Sequence, residues 1–179
     1  MNMYWFDVNV AGPATEAHAE ALGEVLTAAD GIDATIQAGR DGGSVMFSRE
    51  ADDAVQAIIS AVMDVEKAGM TAIGVTEDLV TAEDIADRAR VTAASARYWI
   101  SGDRGPGDFP APRVARPKAS LYSWADVSAW LHGAKLGEVD HVAVETARAC
   151  ALISAALVVR RGLAELPKHE RPLVARLVA

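Results

Sequence analysis

The hydrophobic pattern of residues 1–78 switches between the two periods that distinguish strands from helices. Apolar side chains first alternate with other residues from Tyr4 to Val10, which predicts a strand with one buried face. Further on they recur every third or fourth residue, which is typical of an amphipathic helix. The order strand, helix, strand, strand, helix, strand predicts a ferredoxin-like βαββαβ module in an α+β fold. The predicted strands are 4–10, 34–38, 45–47 and 73–75, and the predicted helices are 16–29 and 52–68.

Two further expectations for this module concern one of its loops and the buried face of its second helix. The glycine-rich stretch 39–43 lies between two strands and predicts a hairpin loop. It does not fit a phosphate-binding loop, because it lacks a lysine and a following helix. The second helix is expected to bury its largest apolar side chains, which are Val55, Ile58, Ile59, Val62 and Met63.

Charge is distributed unevenly along the chain. The 25 acidic and 17 basic side chains give a net charge of −8. Residues 1–78 hold 14 of the acidic side chains and only 3 basic ones, whereas residues 88–118 hold seven basic side chains and two acidic ones. A uniformly basic nucleic-acid-binding protein is therefore excluded, but an anion-binding surface in the middle of the chain is indicated.

Composition and the apolar segments further narrow the class of protein that this chain can be. Hydrophobic residues make up 51% of the chain, so it can bury a core. The single cysteine, Cys150, excludes an intramolecular disulfide. The first residues lack the basic start and long apolar stretch of a signal peptide. The longest apolar run, 149–159, is too short to span a bilayer. We therefore expect a cytoplasmic protein that is not inserted in a membrane.

Two short helices joined by a turn are predicted in the middle segment. Thr81, with Asp84 as its capping-box partner, can start one helix, and Thr92 can start the next. The small Ala86 lets the two helices cross closely, so the pair fits a helix-turn-helix. Arg90 stands where many helix-turn-helix turns have glycine, so either Arg90 adopts a strained positive φ or the turn is wider than the standard one. The predicted helices are 82–89 and, after the Thr92 cap, a helix ending at Ile100.

A loop, a basic hairpin and a third helix follow this pair. Residues 102–112 contain three glycines and three prolines, which predicts a rigid irregular connection. Residues 113–120 are basic and have the length of a hairpin, and residues 125–131 have the pattern of a short helix. The whole order predicts a winged helix-turn-helix, with the basic hairpin as its wing.

Three stretches of this segment resemble the winged helix-turn-helix of the MerR, excisionase and AlpA group, namely DIADRARVTAASARYWI, DFPAPRV and SWADVSAWL. The whole chain is also similar to small actinobacterial helix-turn-helix proteins in which an acidic α/β segment precedes a loop like GDRGPGDFPAP. The resemblance implies double-stranded DNA as the partner, a dimeric protein, and a role in transcriptional control or recombination directionality.

The expected DNA contacts divide into two sets. The second helix of the pair would present polar side chains to the base edges of the major groove. Basic side chains at the end of the first helix, in the loop and along the wing would hold phosphates. The expected base contacts are Thr92, Ser95, Arg97 and Tyr98, and the expected phosphate contacts are Arg88, Arg104, Arg113, Arg116 and Lys118.

The C-terminal segment is dominated by one apolar helix. Residues 139–165 are apolar on most sides of a predicted helix, so the helix must be covered, and we expect a homodimer through it. Residues 171–178 predict one or two further helical turns. The chain is thus expected to comprise an acidic module over 1–78, a winged helix-turn-helix over 79–131, and a helical dimerisation segment over 132–179.

Two alternatives to DNA binding stay open at this point. The three-helix unit could bind a protein instead of DNA. The acidic module could act as an adaptor that docks a basic partner, or it could mask the basic wing of the chain itself. No nucleophile, paired-carboxylate or cofactor motif is present, so we expect no enzyme, no cofactor and no metal site.

Overall fold

The computed structural model describes residues 1–29, 31–39, 42–116 and 119–177. Within these ranges the chain forms six strands and seven helices. The strands are β1 (Asn2–Ala11), β2 (Ala34–Ala38), β3 (Gly42–Ala51), β4 (Ala72–Val75), β5 (Leu79–Val80) and β6 (Tyr122–Ser123). The helices are α1 (Glu16–Ala28), α2 (Ala54–Lys67), α3 (Ala82–Arg88), α4 (Ala93–Ser101), α5 (Trp124–Ala134), α6 (His141–Glu165) and α7 (Arg171–Ala175).

Four strands form one antiparallel sheet in the order β2-β3-β1-β4, and the α+β class predicted from the sequence is confirmed. The period-two pattern of β1 has the expected cause. Its residues Tyr4, Phe6, Val8 and Val10 are buried in one core with the inner sides of α1 and α2. Residues between them, such as Trp5, point to the opposite face of the sheet, because successive side chains alternate along a strand.

The predicted hairpin loop is shorter than expected. Gly42 and Gly43 belong to β3, where Gly43 lies opposite Val10 of β1. A Cβ at Gly43 would come within 2.8 Å of the Gln37 carbonyl oxygen, so glycine is needed there for close approach of the strands. Residues 40 and 41 of the predicted loop lie outside the described residues.

The buried face of α2 also differs from the prediction. Ile58 and Val62 are buried, but Val55, Ile59 and Met63 are exposed. Small side chains take their place, and these allow α2 to pack closely against both the sheet and the neighbouring helix α6. The larger apolar side chains consequently form a row on the outer side of the helix. The residues that fill the inner face are Ala54, Ala57, Ala61 and Val65.

Arg49 of β3 is the centre of a largely buried ion network. Its Nε and Nη2 donate to the Asp33 carboxylate at 2.6 and 3.1 Å, and its Nη1 donates to Asp64 and to Ser60 at 2.9 Å. The Arg49 side chain is only 11% exposed. Burial lowers the pKa of Arg49, but the hydrogen bonds and charges of Asp33 and Asp64 outweigh burial and raise it. The guanidinium is therefore a fixed cation inside the N-terminal module.

A second core lies under the middle segment. Ile85 of α3 and Ala96 of α4 meet Val127 and Leu131 of α5, and all four are fully buried. The short strands β5 and β6 pair antiparallel at its edge. These contacts hold α3, α4 and α5 as one packed unit.

α6 contributes to both cores. Its residues Cys150, Ile153 and Leu157 pack in the core of the four-stranded sheet, and Ala147 packs in the second core. One side of α6 is therefore covered within the chain, which the sequence did not reveal. Leu152, on another side, is 65% exposed.

The hydropathy of α6 exceeds what its longest apolar run indicated. By length and composition this helix could cross a bilayer, with a mean hydropathy of 1.8 over an 18-residue window. A third of that window is buried against the rest of the chain. Because α6 forms part of both cores, we describe it as a packed helix of this fold.

Candidate nucleic-acid interface

Threonine caps fix the starts of α3 and α4. The Thr81 hydroxyl accepts from the backbone N–H of Asp84, and the Asp84 carboxylate accepts from the Thr81 N–H at 2.8 Å, so the predicted capping box is present. The Thr92 hydroxyl accepts from the Ser95 N–H at 3.1 Å and lies 2.9 Å from the Ser95 hydroxyl. Two predicted base contacts, Thr92 and Ser95, are thus occupied with closing the start of α4.

The turn between α3 and α4 contains a strained residue at Arg90, the position where the sequence left the form of the turn open. Arg90 has a φ of 55°, in the left-handed region that favours glycine. Its guanidinium pairs with Glu138 at 2.7 Å. Beside it, Gly137 lies so close to Ala89 that a Cβ there would meet the Ala89 carbonyl oxygen at 2.8 Å. The segment after α5 therefore supports the turn.

One side of α4 faces solvent. Its exposed residues Ala94, Arg97, Tyr98 and Ser101 recur at helical spacing. Arg104, from the loop after α4, places its guanidinium carbon 4.9 Å from the centre of the Tyr98 ring, within cation–π distance. The structure thus brings three predicted DNA contacts together, and we call Arg97, Tyr98 and Arg104 the α4 surface.

A carboxylate accompanies this surface. Arg97 forms an ion pair and hydrogen bond with Glu83 of α3. The hydrogen bond from Arg97 lowers the pKa of Glu83. Both side chains are more than half exposed. An ion pair this exposed contributes little to stability, because water screens it and both side chains lose freedom.

Arg88 and Arg113 are held by carboxylates of the linker between β4 and β5. Arg88 donates to the Asp78 carboxylate at 2.5 and 3.0 Å. Arg113 pairs with Glu77 at 3.1 Å and with Asp126 at 3.4 Å. The charge count over residues 88–118 did not include these three carboxylates, because they lie outside that range in the sequence. The basic surface expected from the sequence is therefore partly neutralised.

The predicted wing is less regular than a full hairpin. In the described part of residues 113–121, strand-like pairing is limited to a single bridge between Val114 and Leu121. Arg116 is exposed, and its N–H donates to the Ser120 hydroxyl at 3.4 Å. Lys118, the last predicted phosphate contact, lies outside the described residues.

Aromatic side chains fasten the loop after α4 to the helices around it. Phe109 meets Tyr122 and Trp130 edge-to-face, with ring centres 5.5 and 5.0 Å apart. The ring centre of Trp130 also lies 5.6 Å from that of Trp99. The Trp130 indole N–H donates to the Gly107 carbonyl oxygen at 2.8 Å. Glycines and prolines alone predicted a rigid loop. Aromatic residues on both sides of it were the signal for these contacts.

Comparisons with known proteins provide no relative, because no protein-family model, no curated protein and no solved structure matches this chain. In the part of the chain that the structure describes, no three His, Cys, Asp or Glu side chains group closely enough to hold a metal ion. Function must therefore be argued from the geometry of the α4 surface and its surroundings.

Proposed function

We propose that this chain is a DNA-binding transcriptional regulator that docks α4 into the major groove of double-stranded DNA. The observation that carries the proposal is the α4 surface on the second helix of a capped, tightly joined pair. In helix-turn-helix proteins this second helix reaches the base edges. The proposal includes two finer assignments: a winged helix-turn-helix built from α3 to α5 with β5 and β6, and a ferredoxin-like arrangement of the four-stranded sheet.

Each residue of the α4 surface has a chemically reasonable role. Arg97 can donate two hydrogen bonds to a guanine edge, which is the commonest specific contact in protein–DNA complexes. Tyr98 and Arg104 would contact phosphate, and so would the basic residues further from α4. Thr92 and Ser95 would approach the groove at the start of α4 with their cap intact. The remaining phosphate contacts of the proposal are Arg88, Arg113, Arg116 and Lys118.

The acidic partners of these arginines are compatible with DNA binding. Glu83 and Asp126 are about half exposed or more, so their ion pairs are weak and easily exchanged. A row of DNA phosphates offers several negative charges at once and releases bound counterions. We therefore expect binding that is moderate at physiological salt and falls steeply as salt is raised.

A homodimer through α6 completes the proposal. α2 and α6 lie side by side, joined by a hydrogen bond from the Ala54 N–H to Glu145 near one end and by the Glu66–Arg160 ion pair near the other. Leu152 on α6 remains exposed, and α2 contributes its outer row of apolar residues. A second copy would cover this surface and present two α4 helices to two half-sites.

Light scattering tests the dimer. Leu152→Glu places a charge on the proposed interface and should convert a dimer into a monomer at micromolar concentration. Leu173→Glu makes the same change at a residue of α7 that is equally exposed, and it should leave the dimer intact. A monomeric wild-type protein would contradict the dimer without affecting the assignment of α4.

Masking by the acidic module is the second candidate, and a specific observation favours it. Asp78 and Glu77, at the end of that module, hold Arg88 and Arg113. Deleting residues 1–78 would not test masking, because α6 packs in the core of the sheet. The paired variant Glu77→Gln, Asp78→Asn should instead strengthen duplex binding by about threefold or more, since two arginines are released for phosphates. Unchanged affinity would exclude masking.

Duplex binding by arginine variants tests the proposed function. Arg97→Ala should weaken binding by about 1–3 kcal/mol if Arg97 contacts a base. Arg176→Ala removes the same charge from an exposed residue after α7 and should change affinity less than about twofold. Equal losses in the two variants, or a wild-type protein that binds no duplex, would contradict the proposal.

A further inference from the structure

A groove opens where β4 stops covering β1. β4 pairs with β1 only from Val8 onward, and the last contact is a hydrogen bond from the Thr76 N–H to the Asp7 carbonyl. The chain then turns away along residues 76–79 towards α3, while the first half of α6 runs beside the uncovered part of β1. The space between them has a volume of about 770 Å³. This is within the usual range for small-molecule sites.

The walls of the groove are mainly apolar. Trp5 and Met46 contribute from the outer face of the sheet, and Val142, Ala147 and Cys150 contribute from α6. Trp5 is 67% exposed, which is unusual for the largest apolar side chain of a protein. An exposed indole beside a concave apolar wall offers a flat surface for an aromatic or cationic ligand.

Carboxylates line the rim of the groove. Arg88 also lines the groove, but its charge is paired with Asp78, and Glu77 is paired with Arg113. Asp7 and Asp140 also line the groove, and in the described part of the chain neither has a cationic side chain within 4.0 Å. The Asp7 carboxylate and the Oδ2 atom of Asp140 therefore remain available to a ligand.

The same geometry disfavours an anion. Asp140 closes the start of α6 by accepting from the N–H groups of Val142 and Ala143, so the positive end of the helix is already occupied by a carboxylate of the chain. Burial, followed by the charges of Asp78 and Asp7, raises the pKa of the Cys150 thiol to about 12. The inner wall is thus a poor environment for negative charge.

We propose that this groove binds a lipophilic organic cation. Its apolar body would lie between Trp5 and the first half of α6, and its positive charge would face Asp7 and Asp140. The indole of Trp5 would add a cation–π contact. This proposal goes beyond DNA binding and does not depend on it.

Calorimetric titration of the intact chain tests the proposal with two probes of matched shape and opposite charge. Tetraphenylphosphonium should bind, and tetraphenylborate should bind at least about tenfold more weakly, because the carboxylates attract one and repel the other. Trp5→Ala should weaken phosphonium binding by about tenfold, since the exposed indole supplies the contact surface. Its exposure also means that the substitution leaves the core intact.

Variants of the two carboxylates test whether Asp7 and Asp140 are the groups that attract the cation. Asp7→Asn and Asp140→Asn should each weaken phosphonium binding by about three- to tenfold. Asparagine keeps the cap of α6, so Asp140→Asn changes charge with little change in structure. Asp53→Asn is the matched control, because Asp53 caps α2 in the same way outside the groove. It should change affinity less than about twofold.

Three results would overturn the proposal. The first is no phosphonium binding at millimolar concentration, and the second is tetraphenylborate binding as tightly as the cation. The third is an equal loss in Asp53→Asn and the two groove variants, which would mean that the cation follows the net charge of −8 rather than a site.

Discussion

The two cores of this molecule use arginine in opposite ways. In the N-terminal module, Arg49 is largely buried and makes hydrogen bonds to Asp33, Asp64 and Ser60. In the middle segment, Arg97 and Arg113 are at least half exposed, and the carboxylates that pair with them are 29–59% exposed. A buried pair cannot exchange partners with solvent, whereas an exposed pair can. Burial therefore separates the arginine that stabilises the fold from those available to a ligand.

The largest effect should come from breaking the buried network. Arg49→Ala leaves the buried Asp64 carboxylate with only the exposed Lys67 ammonium as its cation, so the free energy of unfolding should fall by about 3 kcal/mol. Arg113→Ala removes two ion pairs that solvent reaches and should lower the free energy of unfolding by less than about 1 kcal/mol. Urea denaturation of both variants checks the comparison. Similar losses would show that burial does not separate the two kinds of arginine.

A smaller effect should come from overfilling the second core. Ala96 is fully buried where α4 packs on α3, so Ala96→Leu should lower the free energy of unfolding by about 1–3 kcal/mol. Ala94→Leu adds the same atoms on the exposed side of α4 and should be almost neutral. Denaturation curves in which both variants unfold alike would mean that α4 is not packed as described.

The capping box of α3 should contribute about 1 kcal/mol and depend on pH. Asp84→Ala removes the acceptor for the Thr81 N–H, whereas Asp87→Ala changes an exposed carboxylate of the same helix that caps nothing. Hydrogen bonds from the Thr81 backbone and hydroxyl lower the pKa of Asp84.

The sign of the pH effect follows from that lowered pKa. The stabilisation is complete above the ordinary aspartate pKa of about 4 and is lost as pH falls through the lower pKa of the folded state. Thermal unfolding at pH 7, 5 and 3 should therefore show the gap between wild type and Asp84→Ala closing only at the lowest pH. A gap that stays constant down to pH 3 would contradict this assignment.

The smallest effect on stability should come from relieving the backbone strain in the turn between α3 and α4. Arg90 has a positive φ, so Arg90→Gly should raise the free energy of unfolding by up to about 1 kcal/mol, offset slightly by loss of the exposed pair with Glu138. Arg90→Ala loses the same pair but keeps a Cβ, and it should gain nothing. If the glycine variant is less stable than the alanine variant, the turn is not strained.

Sequence patterns predicted the elements well where one physical constraint acts alone. The one-sided burial of β1 imposes period two on Tyr4, Phe6, Val8 and Val10, so the strand was visible. Threonine caps placed the starts of α3 and α4 within one residue. The sequence also marked Arg90 as the critical residue of the turn, although it did not decide between a positive φ and a wider turn.

Features that depend on tertiary packing could not be predicted from the sequence. The sequence predicted that α2 buries large apolar residues such as Ile59 and Met63. In the structure α2 packs closely against the sheet and α6, and its alanines are buried instead. The partners of Arg88 and Arg113 lie 10 and 36 residues away along the chain, so only the fold brings them together. The groove beside Trp5 was missed for the same reason, since it forms where the edge of β1 meets α6, which lies near the other end of the chain.

The salt dependence of duplex binding tests the central claim most directly. If exposed arginines around α4 exchange their carboxylates for phosphates, the logarithm of the binding constant should fall with the logarithm of salt concentration with a slope of about −3 or steeper. Glu83→Gln should bind more tightly than wild type at every salt concentration, because it frees Arg97. A slope near zero, together with no gain in Glu83→Gln, would contradict the account.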